Sequence, residues 1–320
     1  MRFNPRLRRL DPLTALRQSV ARLSDEGVYY TRRQLYYEVC QTLLRPSRWY
    51  VALSQTAAAV GMSLTVALRR PRLLWDGAVG AVALLSVPPL ARRLPFTMTP
   101  PLADAAFEEA LATYRAQYGE PIGLLADVLP SSLPIFDNYR EPDLYDYGLP
   151  YVIVCQDAAI AHMLRANDLH MVMGCAIVAL EEATPLPDVL VTMLMRAAAP
   201  YVLLLHDASG EGLTFAANAR KLLDLPSGVQ VRALGLRPRH ALRLHLFAAR
   251  GAGLPPEVAP NLGVIERLWL RAGYATEVAA LRPTSLLRAL QRSVDTEWHR
   301  SSWFTDLRRW RSTGYMSWPE

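Results

Sequence analysis

Apolar residues recur at helical spacing in the first part of the chain. In residues 6–24 they stand three and four positions apart, and arginines occupy the far side of the predicted helix. A second helix is predicted to begin near Thr31, which can cap it, and to end at Leu44, before Pro46. Two helices joined by a short turn indicate a helix-turn-helix arrangement. The apolar positions of the first helix are Leu10, Leu13, Leu16, Val20 and Leu23.

Residues 49–94 differ, because two long apolar arms flank a short basic turn. The arms cover 49–68 and 73–91, and each has about the 20 residues that a membrane span needs. Arginines lie at both flanks and in the turn, as is common beside membrane spans. Polar side chains in the first arm and the charge of Asp76 in the second favour a buried pair of soluble helices instead. Both interpretations stay open.

From Pro100 onward, short apolar runs alternate with helical patterns. Runs without polar alternation are typical of parallel strands that are buried on both faces. After a helix over 100–119, strands are predicted at 151–155, 175–180, 201–205 and 229–234, with helices over 157–165, 186–198 and 212–223 between them. The remainder of the chain is predicted to be helical.

These patterns predict an α/β protein with three parts. A helical unit with the helix-turn-helix arrangement covers 1–48, and the hydrophobic hairpin, a candidate transmembrane pair, covers 49–94. An α/β domain with a parallel sheet, helices on both faces and a helical C-terminal extension covers 100–320.

The charge is unevenly distributed along the chain. Lys221 is the only lysine among 35 basic residues, so arginine supplies nearly all the positive charge. Residues 1–100 carry a net charge of +10, residues 101–230 carry −11, and residues 231–320 carry +7. Basic ends around an acidic middle suit a protein that holds a polyanion. Codon bias toward arginine and an ordinary solvated surface would give the same totals.

Three cysteines lie far apart, at Cys40, Cys155 and Cys175. Since no CxxC pair or nearby histidine accompanies them, neither a zinc site nor a disulfide framework is indicated, and a reducing compartment fits best.

Polar residues follow the first three predicted strands at the point where ligands collect in open parallel sheets. They are Gln156-Asp157, Glu181-Glu182 and the segment 206–212, HDASGEG. Converging carboxylates are a reasonable site for Mg²⁺ and phosphoryl transfer. Asp and Gly after a strand also serve simply as turn and helix-cap residues.

Four segments, in order along the chain, resemble one family. Residues 29–37 (YYTRRQLYY) are similar to the Tyr-x-Thr-Lys-Arg-Asp-Ile-Tyr-Tyr motif of topoisomerase VI A subunits and the meiotic double-strand-break transesterases. Residues 151–160 and 203–212 look like the first strand and the Asp-x-Asp strand end of that family's Toprim domain. Residues 234–238 (LGLRP) resemble the stretch that follows. The resemblance spans about two thirds of the chain.

The resemblance implies a winged-helix-like, DNA-binding unit over 1–48 and a Toprim-like fold for the α/β domain over 100–320. It also implies roles for particular residues. Tyr37 falls on the nucleophile that forms a 5′-phosphotyrosyl link with duplex DNA, and Arg33 falls on the motif's arginine. Because a phenol with a pKa of about 10 is a weak nucleophile at neutral pH, a guanidinium and a metal must stabilise its charge. Family members act as dimers, in which the tyrosine of one subunit works with the Toprim metal of the other, and a B-type ATPase subunit accompanies them.

At the metal site the sequence departs from the family. Gln156 replaces the strand-end glutamate and Ser209 replaces the second aspartate, so that Asp207 alone matches. Neutral oxygens are weak ligands for Mg²⁺. Glu211 or Asp157 is the available substitute, and the site is predicted to have lost or altered its cation.

Three functions follow from these observations. The first is a DNA-binding relative of topoisomerase VI A subunits that acts as a type IIB topoisomerase-like transesterase through Tyr37 and Arg33, with Mg²⁺ at Asp207 and Glu211. The second is a non-catalytic, membrane-associated DNA-binding or scaffold protein with a vestigial Toprim fold. The third is an integral membrane protein whose soluble part binds a protein partner. A homodimer in the cytoplasm, anchored to the cytoplasmic membrane if 49–94 inserts, is expected.

Overall fold

The computed structural model describes residues 11–44, 97–126, 150–197 and 199–295. The helices in these ranges are α1 (Pro12–Asp25), α2 (Arg32–Leu44), α3 (Asp104–Tyr118), α4 (Ala158–Ala166), α5 (Leu169–Met173), α6 (Asp188–Arg196), α7 (Gly210–Leu222), α8 (Pro238–Leu244), α9 (Val264–Arg271) and α10 (Pro283–Asp295). The strands are β1 (Tyr151–Cys155), β2 (Cys175–Ala179), β3 (Tyr201–Leu205), β4 (Gln230–Ala233), β5 (Ala249–Arg250) and β6 (Tyr274–Ala275).

The two N-terminal helices form where the apolar spacing predicts them. Pro12 occupies the first turn of α1, where its missing N–H is not needed, and Leu16, Val20 and Leu23 are buried on one face. Thr31 begins α2 through reciprocal bonds: its Oγ1 accepts from the Gln34 amide at 3.1 Å, and the Gln34 side chain accepts from the Thr31 amide at 2.9 Å. The predicted cap of α2 is therefore confirmed.

Helix α3 packs beside α1 and α2, although the chain between them is long. Its Phe107 and Leu111 belong to the same buried apolar cluster as residues of α1 and α2. The loop after α3 also pairs with the turn between α1 and α2, because the Tyr30 amide donates to Gly123 and the Leu125 amide donates to Tyr30. The residues described over 11–44 form two helices, and the winged-helix-like arrangement stays a prediction.

The four apolar runs form one parallel sheet with strand order β2-β1-β3-β4. Every neighbouring pair is parallel, with Tyr151 opposite both Cys175 and Tyr201. The two central strands are buried along almost their whole length, which explains why their sequences lack polar alternation. The predicted parallel sheet flanked by helices is confirmed.

Side chains of alternate strand positions enter two separate cores. Ile153 and Leu203 belong to a large cluster that includes residues of α1, α2, α4 and α10. Val152 and Val202 belong to a smaller cluster with residues of α6 and α7. Burial of a side chain of this size contributes about 1.5–3 kcal/mol, so both layers stabilise the sheet substantially. The N-terminal helices share the larger core with the sheet.

After β4 the chain continues mainly as helices, with one short antiparallel pair, β5 and β6. The sequence predicts the helical character but neither this pair nor α5. Two-residue strands and a five-residue helix are too short to leave a periodic pattern.

Several predictions fall on residues outside the described ranges. They are residues 1–10 and 45–48 of the N-terminal unit, the hydrophobic hairpin over 49–94, and the end of the C-terminal extension beyond 295. Within the described residues, no helix combines the length and the apolar character that a membrane crossing requires.

Candidate functional site

The carboxyl ends of β1 and β3 lie side by side and share hydrogen bonds. The Gln156 amide donates to the Leu205 carbonyl at 2.8 Å, and the Asp207 amide donates to Gln156 Oε1 at 2.9 Å. The Gln156 side chain is thus bonded to the backbone at the end of the neighbouring strand. Glu182, after β2, accepts from the Ala179 amide at 2.9 Å. The polar strand ends predicted from the sequence lie along one edge.

Asp207 is a partly buried acid at the centre of this edge. Its Oδ1 accepts from the Val278 amide at 2.6 Å. Burial raises the pKa of Asp207 to about 7; the Val278 bond opposes this rise, while nearby Glu277, Asp157 and Glu211 add to it. An acid with this pKa is partly protonated at neutral pH.

The other polar residues of the edge serve as helix caps. Ser209 Oγ accepts from the Gly212 amide at 3.0 Å at the start of α7, and Asp157 Oδ1 accepts from the Ala159 amide at 2.9 Å at the start of α4. Burial raises the pKa of Asp157 as well. Asp157 therefore has the capping role that the sequence leaves open as an alternative to metal binding, and Ser209 is a second cap at the same edge.

The close packing at this edge requires glycine at position 212. A Cβ on Gly212 would overlap the Asp207 carbonyl oxygen and come within 2.7 Å of Gln156 Oε1. The glycine lets the first turn of α7 approach the ends of β1 and β3. The approach leaves little space between these groups.

These donors do not fit Mg²⁺. Among the described residues, no three His, Cys, Asp or Glu side chains are grouped so that they could hold a metal ion. Of the predicted pair, Asp207 has one oxygen bonded to the Val278 amide, and Glu211 is exposed in the first turn of α7. Mg²⁺ needs charged oxygens to offset its dehydration, whereas Gln156 and Ser209 are neutral and already bonded to amides.

Tyr37 lies on α2 with its ring inside the larger core. The residue is 1% exposed and stacks on Phe247 at 6.0 Å between ring centroids, with Tyr36 edge-on at 5.2 Å. Its hydroxyl oxygen is 3.4 Å from Arg33 Nη2. Burial raises the pKa of Tyr37, and Glu277 raises it further, while Arg33 acts in the opposite direction. In this position the phenol is neutral at physiological pH.

Arg33 stands between the tyrosine and two acids. Its guanidinium bonds to both oxygens of Glu277, at 2.6 and 2.9 Å, and to Asp104 at 2.9 Å. It also lies over the rings of Tyr36 and Tyr37. Burial acts to lower the pKa of Arg33, but Glu277 and the other groups more than offset it, so the net pKa is raised and the group stays charged.

Residues 276–282, called the connector below, join α2 to the sheet edge. Thr276 exchanges two backbone bonds with Ala208, and the Val278 amide binds Asp207. Glu277, between them, binds Arg33 through its side chain. Adjacent residues of the connector thus bind Arg33 on the tyrosine helix and Asp207 at the strand end.

The connector also reaches the carboxylate that follows Tyr37. Arg282 donates to both oxygens of the buried Glu38, at 3.0 and 3.1 Å, and Arg22 of α1 binds the same carboxylate. Sequence reasoning missed Glu277 and Arg282, because each is 244 residues from its partner and leaves no local pattern. An acid and an arginine flanking a short apolar run were the available signal.

A group of arginines surrounds the start of α8, after the LGLRP stretch. Arg239 and Arg243 are exposed, while Arg237 binds Glu266 at 3.2 Å. The nearby imidazole of His240 is buried, and burial together with these three arginines lowers its pKa to about 3. The local potential is therefore positive. Since α8 follows β4, this basic group lies toward the same end of the sheet as Asp207.

The chain was compared with family models, with curated proteins and with solved structures. None of the three comparisons gives a match.

Proposed function

We propose that the protein binds duplex DNA as a relative of topoisomerase VI A subunits, and that it does not cut DNA in the conformation described here. One observation carries the proposal: the connector ties the tyrosine helix to the predicted Toprim edge through the adjacent residues Glu277 and Val278. Segments 29–37 and 203–212 of the resemblance therefore lie together. Each is also occupied by contacts within the chain.

The absence of cutting follows from the state of the two chemical groups. The phenol of Tyr37 has a raised pKa and is 1% exposed, so it offers neither the charge nor the access that attack on phosphorus needs. Asp207 has a pKa of about 7 and a backbone partner. This arrangement supports the non-catalytic DNA-binding or scaffold function.

Arg239 and Arg243 supply the proposed phosphate contacts. Each phosphate contact releases counterions, so DNA affinity falls as salt rises, and the slope of log affinity against log salt reports the number of contacts. We expect Arg239→Gln/Arg243→Gln to weaken DNA binding and to reduce that slope by about 1 per lost contact. Arg115→Gln is the matched control, because Arg115, on α3, pairs with Glu120 at 3.0 Å at the surface.

The measurement is a gel-shift series in rising salt with the full chain. Equal slopes for the double variant and the native chain would remove α8 from the proposed DNA interface. Salt-independent binding, or none, would contradict the proposed function itself.

The short distance between Arg33 and Tyr37 favours a second candidate, a DNA transesterase. In that reaction the phenol loses its proton and its oxygen bonds to phosphorus, while the bond from phosphorus to the 3′ oxygen breaks. The leaving 3′ oxygen takes up a proton and becomes a 3′ hydroxyl. Arg33 would stabilise the negative charge that develops. The reaction requires α2 to separate from the connector so that Tyr37 reaches DNA.

Trapping of a covalent adduct distinguishes the two candidates. We expect no adduct from the native chain with Mg²⁺, Mn²⁺ or a chelator. An adduct that is lost in Tyr37→Phe and kept in Tyr29→Phe would establish the transesterase instead. Tyr29 is a suitable control because it belongs to the same motif and is 50% exposed.

The homodimer, the B-type ATPase subunit and the cytoplasmic, membrane-anchored location belong to the same proposal. They rest on the resemblance and on the apolar pattern of 49–94.

A further inference from the structure

Helix α9 carries large apolar side chains on its solvent side. Val264, Ile265 and Leu268 are 64%, 62% and 59% exposed, and positions 264 and 268 lie one turn apart on the same face. The inner side of the helix is already occupied, because Glu266, Trp269 and Leu270 are buried. The packing of the described chain thus leaves three adjacent apolar groups in water.

The charges of α9 are arranged around this apolar group. Arg271 is exposed one turn after Leu268, and Arg267 is partly exposed beside it. The single acid of the helix, Glu266, faces inward, where it accepts from the Gly263 amide at 2.9 Å and binds Arg237. The outer face therefore combines apolar side chains with positive charge and no carboxylate. A helix that lies at the surface of an anionic bilayer needs this combination.

The position of α9 in the chain points in the same direction. Trp269 Nε1 donates to Thr97 Oγ1 at 3.0 Å, and the Ala248 amide donates to the Met98 carbonyl at 2.7 Å. Thr97 is where the described chain resumes, three residues after the apolar segment 49–94, whose arms have the length of membrane spans. Helix α9 is thus held directly against the exit of that segment.

We infer that the outer face of α9 contacts the surface of an anionic lipid bilayer. Val264, Ile265 and Leu268 enter the boundary between headgroups and acyl chains, and Arg267 and Arg271 bind the lipid phosphates. The contact is separate from DNA binding and does not depend on it. With only eight residues, α9 orients the protein on the membrane and does not anchor it alone.

The test places an environment-sensitive fluorophore on the full chain at Leu268→Cys. Labelling is selective, because the three native cysteines are buried. The matched control is Val189→Cys, an exposed position on α6 with 55% exposure. Vesicles contain either phosphatidylcholine alone or an equal mixture with phosphatidylglycerol, and some carry brominated lipid as a quencher within the acyl region.

We expect brominated lipid to quench the label at 268 at least threefold more than the label at 189. Vesicles should also protect the label at 268 from quenching by iodide in the water. The quenching should be stronger in phosphatidylglycerol vesicles. Arg267→Gln/Arg271→Gln should weaken the quenching in phosphatidylglycerol vesicles and leave the quenching in phosphatidylcholine vesicles unchanged.

Two results would overturn the inference. Equal iodide quenching at 268 with and without vesicles would mean that no bilayer covers the face. A label at 268 that is shielded from iodide before vesicles are added would show that another segment of the chain covers it, or a second copy if the shielding disappears on dilution.

Discussion

Helix α2 and the carboxyl edge of the sheet hold their buried charges in different ways. On α2, Arg33 and Glu38 each meet groups of opposite charge, supplied mainly by the connector. At the sheet edge, Asp207 has a backbone amide as its partner, and the charges around it are other carboxylates. An ion pair keeps both partners charged, whereas a buried acid among like charges takes up a proton. The difference separates a helix whose ion pairs stay charged from a sheet edge whose central acid is partly protonated at neutral pH.

The largest expected effect comes from breaking the charge pairing on α2. Glu38→Ala leaves Arg22 and Arg282 without their shared carboxylate, and their side chains are 30% and 33% exposed. Removing one partner of a buried pair costs about 3–5 kcal/mol, and partial solvation of the arginines reduces this to about 3. Urea unfolding of the full chain, followed by circular dichroism, measures the loss.

The control for this variant is Glu120→Ala, which removes the partner of Arg115 at the surface. An exposed pair contributes about 0.2–1 kcal/mol, so the control should lose no more than that. Similar losses in the two variants would mean that charge pairing on α2 is no stronger than at the surface.

A smaller effect is expected from crowding the sheet edge. Gly212→Ala forces its new methyl group against the Asp207 carbonyl oxygen and Gln156 Oε1. We expect a loss of about 2 kcal/mol in the free energy of unfolding, since overpacking typically costs 1–3. Gly228→Ala is the control, because nothing lies within 4 Å of its Cβ, and thermal unfolding should not distinguish it from the native chain. Unchanged stability in Gly212→Ala would show that the edge has room for a ligand.

The smallest effect concerns the proton on Asp207. Burial raises its pKa from 3.8 to about 7, so its contribution to stability is complete below pH 4 and is lost as the pH rises through 7. Asp207→Asn keeps an oxygen for the Val278 amide and removes the titration. We expect equal stability of the variant and the native chain at pH 4. A rise of about three pKa units corresponds to about 4 kcal/mol. Because the Asp207 carboxylate is only partly buried, solvent screening reduces the advantage of the variant to about 1–2 kcal/mol at pH 9.

The comparison must be made as a difference between chains at each pH. His240 and His206 have lowered pKa values caused by burial, so they destabilise both chains as the pH falls. Asp224→Asn is the control, because Asp224 is exposed with φ of 51°, a conformation that asparagine adopts readily. A pH-independent difference in stability between Asp207→Asn and the native chain would contradict a raised pKa at Asp207.

The repeating elements of the fold could be predicted from the sequence. The strands at 151–155 and 201–205 and the start of α2 at Thr31 follow from apolar runs and a capping residue, which are local properties. The two-residue strands β5 and β6 could not, since a strand of that length forms because its partner is present.

The candidate site shows the same limit. The proximity of Gln156 and Asp207 follows from parallel strands, whose ends meet at one edge. The contacts of Glu277 and Val278 depend on tertiary packing, and no periodicity in the sequence specifies them. The sequence shows the loss of the strand-end glutamate at Gln156, but it does not show that the Val278 amide is the partner of Asp207.

The connector couples two neighbouring parts of the molecule, helix α2 and the ends of the strands. A ligand that competes for the Asp207 oxygen must displace the Val278 amide, and the peptide that moves also carries Glu277, the partner of Arg33. By thermodynamic linkage, whatever favours release of α2 then strengthens such a ligand by the same factor. Occupancy of the strand ends and exposure of the phenol are two readings of one equilibrium.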